Sequence, residues 1–130
     1  MKKIKYFLAI CVMILSAVLM PACATISVDY DLASLGETAT YTTVTKMQTT
    51  PINYKNKTFR IEGEFKKSGS SYQYLMGYDS ANCCTWNLEV KAGEGVTLPS
   101  KSKTVVAVGV FRCDKANGQT TKYLEITDIK

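Results

Sequence analysis

The segment from Thr58 to Lys66 constrains this chain more than any other. Phe59, Ile61, Gly63 and Phe65 alternate there with Arg60, Glu62, Glu64 and Lys66. Successive side chains on a strand point to opposite faces, so the pattern predicts a half-buried strand with one apolar and one solvated, charged face. Gly63, at its centre, predicts the bend or bulge that lets one strand serve two parts of a closed sheet.

The downstream sequence continues in the same manner. Ser68-Gly69-Ser70-Ser71 predicts a turn. Tyr72 to Asp79 predicts a second strand, with Tyr72, Tyr74, Met76 and Tyr78 on one side and Gln73, Leu75 and Gly77 on the other. Trp86 to Val90 makes a third. Lys91 to Lys103, with Gly93, Gly95 and Pro99, predicts a loop too broken for a long helix. Thr104 to Cys113 is a nearly continuous apolar run, which predicts a strand buried on both faces. Asn117-Gly118 is a hairpin signal, and Thr121 to Ile126 returns as the final strand.

Upstream, Ala39 to Val44 is β-branched and aromatic enough to predict one short strand. Val44 and Met47 then share one face of a short helical turn, which Pro51 ends by disfavouring helix at Thr50. Five main strands, the first long and bent at a glycine, predict an all-β, five-stranded OB-like Greek-key barrel over 38–130. A small open sandwich is the alternative. Closure into a barrel would remove the edges that an isolated meander exposes.

The first residues carry an address. Lys2, Lys3 and Lys5 precede an uncharged run from Tyr6 to Met20, too short for a membrane span and suited to a secretory signal over 1–22. Two processing sites compete. Cys23, directly after Met20-Pro21-Ala22, suits a lipobox cysteine, whereas Ala22-Cys23-Ala24 suits Ala-x-Ala cleavage. The lipobox reading gives the terminal cysteine a purpose: Cys23 would carry the acyl chains that hold an exported domain at the membrane surface. Residues 23–37, with scattered Ser, Asp, Gly and Thr, then read as a tether and lead-in segment.

The chain of 130 residues carries 16 Lys+Arg against 11 Asp+Glu, a net of +5. Three of those cations lie in the leader, and from Cys23 onward the net is +2. So small an excess argues against a nucleic-acid partner. Histidine is absent, which removes the usual general base and a common zinc ligand. No Gly-x-Ser-x-Gly, phosphate-binding loop or dinucleotide fingerprint is present either. Glu62 and Glu64 share a strand face, but alternating charge on a solvated strand accounts for them without chemistry. The chain therefore reads as a binding module and not an enzyme, with no strong oligomer signal.

A string of residues resembles a known family. Asp31-Leu32, Tyr41, Val44, Met47, Pro51, Tyr54, Lys57-Thr58, Arg60, Gly63 and Phe65 are similar to the opening of a group of small lipoproteins common in anaerobic Gram-positive bacteria. Asp79-Ser80-Ala81-Asn82-Cys83-Cys84, followed by Leu88-Glu89-Val90, resembles that family's second motif, an Asp-led turn with a Cys pair. The resemblance implies an OB-like barrel tethered outside the membrane, in the cell envelope. Thr85-Trp86-Asn87 departs from the Pro/Ser-Gln-Gly that usually follows the pair, and Cys113 precedes the last hairpin where relatives carry a cysteine after it.

Cysteine carries the sharpest chemistry. Beyond Cys11 and Cys23, three thiols remain: Cys83, Cys84 and Cys113. If barrel closure brings them to one rim, three sulfurs with Asp79 or water would suit a soft metal ion such as zinc. Neighbouring residues on a strand diverge, so Cys83 and Cys84 share an ion only if a turn twists them together. A disulfide from Cys113 to one of the pair, or within the pair, is the second reading, and burial as small apolar residues is the third. The stripe Tyr72, Tyr74 and Tyr78 is the other candidate surface. On an OB barrel such a face could stack on a glycan, an oligonucleotide or a protein partner, with Lys66, Lys67, Lys91 and Arg112 adding charge. The period-two spacing of these tyrosines favours instead a place in the core, and Trp86 beside the Cys pair reads as a core plug.

Overall fold

A computed structural model describes residues 27–130 of the chain. The leader over 1–22 and Cys23 lie outside the described residues. The elements in chain order are β1 (Tyr30–Asp31), a 3₁₀ turn (Leu32–Ser34), α1 (Glu37–Thr49), a second 3₁₀ turn (Pro51–Tyr54), β2 (Thr58–Ser68), β3 (Tyr72–Tyr78), β4 (Thr85–Ala92), β5 (Lys103–Ala116) and β6 (Gln119–Ile129). Among the described residues, no helix is long and apolar enough to cross a membrane.

The strands form one mixed sheet in the order β1-β2-β3-β4-β6-β5, and β2 also pairs β5, so five strands close a ring. The long first strand makes this possible. Its C-terminal half pairs β3 antiparallel, from Glu64 with Met76 to Ser68 with Tyr72. From Thr58 to Phe65 its other edge pairs β5. Phe59, Ile61 and Phe65 are all fully buried, as their alternation predicts. Asn117 and Gly118 both take positive φ (52° and 78°), the left-handed pair that a two-residue hairpin turn requires. The β4–β6 pairing is parallel and brief, from Val90 with Leu124 to Ala92 with Ile126.

Three expectations are corrected. The Ala39–Val44 strand and the short turn after it are one helix of thirteen residues, Glu37–Thr49. Thr40, Val44 and Met47 are buried at i, i+4 and i+7, and this packing outweighs the poor intrinsic helix propensity of six threonines. The helix stops where Pro51 requires. Within 23–37, the described residues lead into the sheet: Tyr30 stacks on Phe59 with centroids 4.8 Å apart, and Leu32 is buried. β5 is not equally buried on its two faces. Val105, Ala107, Phe111 and Cys113 face the core, while Val106 and Val110 are half-buried outside. Gly63 keeps register with Val105, and the register shift falls instead between Val108 and Gly109, where β6 approaches closely.

Phe59, Ile61, Phe65, Leu75, Leu88, Phe111, Leu124 and Ile126 fill the ring, and Val44 and Met47 of α1 join the same core. Two polar ties hold the C-terminal end of the helix to the strands: Gln48 Nε2 donates to the Asn87 carbonyl at 3.0 Å, and Lys122 Nζ donates to the Gln48 carbonyl at 2.8 Å.

Candidate metal centre

The chain reverses between β3 and β4 through Asp79–Cys84, and Asp79 organises the turn. The Asp79 amide donates to the Cys84 carbonyl and the Asn82 amide to the Asp79 carbonyl, both at 3.0 Å. Asn82 takes a left-handed conformation (φ 56°), which asparagine tolerates better than most residues. Asp79 Oδ1 accepts the amides of Cys83 (3.0 Å) and Cys84 (3.3 Å). Oδ2 accepts the Cys83 thiol at 3.2 Å.

The two thiols, neighbours in sequence, are neighbours in space because both precede the first residue of β4. Cys83 Sγ and Cys84 Sγ stand 3.4 Å apart, a contact distance and not a bond. One ligand atom each from Asp79, Cys83 and Cys84 falls within 4.8 Å of the others. Tetrahedral zinc, with its ordinary bond lengths, would hold two sulfurs about 3.8 Å apart and a sulfur and a carboxylate oxygen about 3.5 Å apart. The Cys83–Cys84 and Cys83–Asp79 contacts, at 3.4 and 3.2 Å, need to spread by a few tenths of an ångström, and all three donors lie within 4.8 Å of one another. Cys83 is exposed and Cys84 and Asp79 are half-buried, so a fourth position faces solvent.

The electrostatics describe a protonated resting state. The hydrogen bond from the Cys83 thiol holds the Asp79 carboxyl below its ordinary range, with the amides of Cys84 and Cys83 adding to the effect. The same carboxylate, followed by the Cys84 thiol, pushes Cys83 up to about 11. An anionic acceptor stabilises the thiol and opposes the thiolate. The arrangement therefore suits a cation that replaces the proton, and works against nucleophilic sulfur chemistry.

Cys113 is not part of this group. It is buried in β5, within the core and opposite Lys122 of β6. Ser80 of the turn shares a 2.7 Å hydrogen bond with Thr38 in the first turn of α1, whereas Lys122 reaches Gln48 in its last turn. From Thr38 to Gln48 the helix axis advances about 15 Å. The turn and the Cys113 pair are thus tied to opposite ends of α1, and the three sulfurs do not converge. All three thiols are free.

The tyrosines are not core residues. Leu75 points inward, so Tyr72 and Tyr78, at 42% and 44% exposure, lie on the outer face with the half-buried Tyr74. Tyr72 and Tyr74 are in contact, with centroids 5.3 Å apart. Trp86 is buried, as a core plug should be. No protein-family model, curated protein or solved structure matches the chain.

Proposed function

We propose that the chain is an exported binding module, lipid-anchored through Cys23, whose Asp79–Cys83–Cys84 turn takes up a thiophilic metal ion such as zinc. The body of the module is a barrel of the OB type, a reading supported by the cyclic pairing of β2, β3, β4, β6 and β5 and by the length of the shared strand β2. The observation that carries the metal reading is the convergence of two sulfurs and a carboxylate oxygen within 4.8 Å at an exposed turn. Two thiolates and a carboxylate suit a borderline-soft ion, and a solvent-facing fourth position suits uptake and release more than permanent structural burial. The module binds and does not convert.

Elemental analysis of protein purified under reducing conditions, without chelator, tests this. One equivalent of metal, retained by Cys113→Ala and lost in the Cys83→Ser/Cys84→Ser pair, is expected. Absence of stoichiometric metal after zinc addition would overturn it.

A second reading rests on the outward position of Tyr72, Tyr74 and Tyr78. Exposed aromatic rings on the β3 face could stack on a glycan or a protein partner. Substituting all three with alanine should then abolish retention on a glycan or envelope-protein array while the far-ultraviolet dichroism is preserved. Unchanged retention would remove the tyrosines from recognition.

A further inference from the structure

The two sulfurs of the turn between β3 and β4 stand close enough to react with each other. Cys83 Sγ and Cys84 Sγ are 3.4 Å apart. Reacting atoms held roughly 3–3.5 Å apart are at the separation from which a bond forms readily. The turn holds them there, because Asp79 Oδ1 accepts the amides of both cysteines, at 3.0 and 3.3 Å. Cys83 is exposed and Cys84 half-buried, so a reagent in solution reaches the pair. Cys113, buried in β5, does not compete.

A bond between these sulfurs would be a labile one. Consecutive residues joined by a trans peptide have Cα atoms about 3.8 Å apart, short of the roughly 4.4 Å at which ordinary disulfides begin. Such a bridge is strained, and strained or exposed disulfides are the readily reduced ones. The pair suits a reversible couple more than a permanent structural bridge.

We propose that the pair is a redox gate on the metal site: a low-molecular-weight disulfide oxidises Cys83 and Cys84 to a bridge, and the bound ion leaves. This rests on the metal reading of the turn. One sulfur of the pair attacks the small disulfide, forming a mixed disulfide and expelling one thiolate. The other attacks the first across 3.4 Å, forming the Cys83–Cys84 bond and expelling the second thiolate. Two electrons pass from the protein sulfurs to the reagent, and zinc, which has no redox chemistry, takes none. In the empty site Asp79 holds the Cys83 proton and slows attack on outside molecules. In the loaded site the ion has displaced that proton, and the two expelled thiolates take theirs from solvent. Once the bridge has formed neither sulfur is a thiolate, and Asp79 alone is too few ligands to hold zinc.

Zinc-loaded protein treated with oxidised glutathione tests this, with zinc release followed by a chromogenic chelator and the cysteines by peptide mapping. Loss of the bound zinc is expected, with the peptide carrying Cys83 and Cys84 lighter by two hydrogens and free of glutathione. Cys113 should still accept iodoacetamide after unfolding, and a reducing dithiol should restore zinc uptake. Cys84→Ser, which lacks the neighbouring sulfur, should instead keep the glutathione adduct on Cys83. If the reduced protein takes up no zinc, the metal reading fails and the gate with it. If zinc is taken up but stays bound after oxidation, the gate alone is overturned. An adduct that persists equally in the parent and in Cys84→Ser, or a bridge to Cys113 or to a second chain, would also overturn it.

Discussion

Gly77 lies directly against the indole of Trp86, its cross-strand partner: a Cβ on Gly77 would stand 2.7 Å from Cε2, Cζ2 and Nε1 of the ring. Real Cβ atoms do not come that close, so any side chain at 77 must displace the ring or part the strands. Gly77→Ala is expected to destabilise the domain by about 1–3 kcal/mol, the usual cost of overpacking a core. A lower denaturant midpoint and a red-shifted emission from Trp86 would show it. An unchanged midpoint would mean that the ring is free to move.

Asp79 controls the reactivity of Cys83. With the thiol pushed up to about 11, alkylation at neutral pH should be slow although the side chain is exposed. Asp79→Asn removes the anionic acceptor and should speed iodoacetamide labelling of Cys83 roughly tenfold, since the thiolate fraction rises as the pKa falls. Peptide mapping after timed labelling distinguishes Cys83 from Cys84. An unaltered rate would remove Asp79 from control of the thiol.

Two aspartates set the acid limit. Arg60 Nη1 lies 2.9 Å from Asp31 Oδ1 and holds that carboxyl below its ordinary value, as the Cys83 thiol holds Asp79. Both groups bind protons less readily folded than unfolded. Their contribution is therefore complete above the unfolded value of about 4 and is lost as pH falls through their lower folded values. Denaturant midpoints should be flat above about pH 5 and decline below about pH 4. In Asp31→Asn the decline should be shallower.

Membrane-extracted protein should begin at Cys23 and carry acyl mass, removed in Cys23→Ser. Intact-mass measurement with and without alkylation reads the start residue, the acylation and the free-thiol count together. An unmodified chain beginning at Thr25 would favour Ala-x-Ala processing instead.

The strands were legible because their signal is local. Phe59, Ile61 and Phe65 alternate with charged neighbours, and Asn117-Gly118 can hardly do other than turn. The helix was not, because its residues speak against it one by one. Threonines at 38, 40, 42, 43, 45 and 49 favour extended backbone, and only the buried spacing of Thr40, Val44 and Met47 shows the helical face. Several of these hydroxyls bond back to the preceding turn, such as Thr45 to the Tyr41 carbonyl at 2.8 Å. In the candidate metal centre, the Cys pair and Asp79 could be picked out by residue type. Their convergence depends on Asn82 at φ 56°, and the exclusion of Cys113 on where α1 is tied down.

The closing seam of the ring joins Thr58 to Val110 and Phe65 to Lys103. Contacts so distant along the chain are slow to form, because most of the polypeptide must be ordered before they repay the loss of entropy. A nascent chain that has reached β4 holds a β2 whose outer edge has no mate. Until β5 arrives, that bare edge is the place where two immature copies could pair with one another. The interval before that seam closes is when the chain is most open to such pairing.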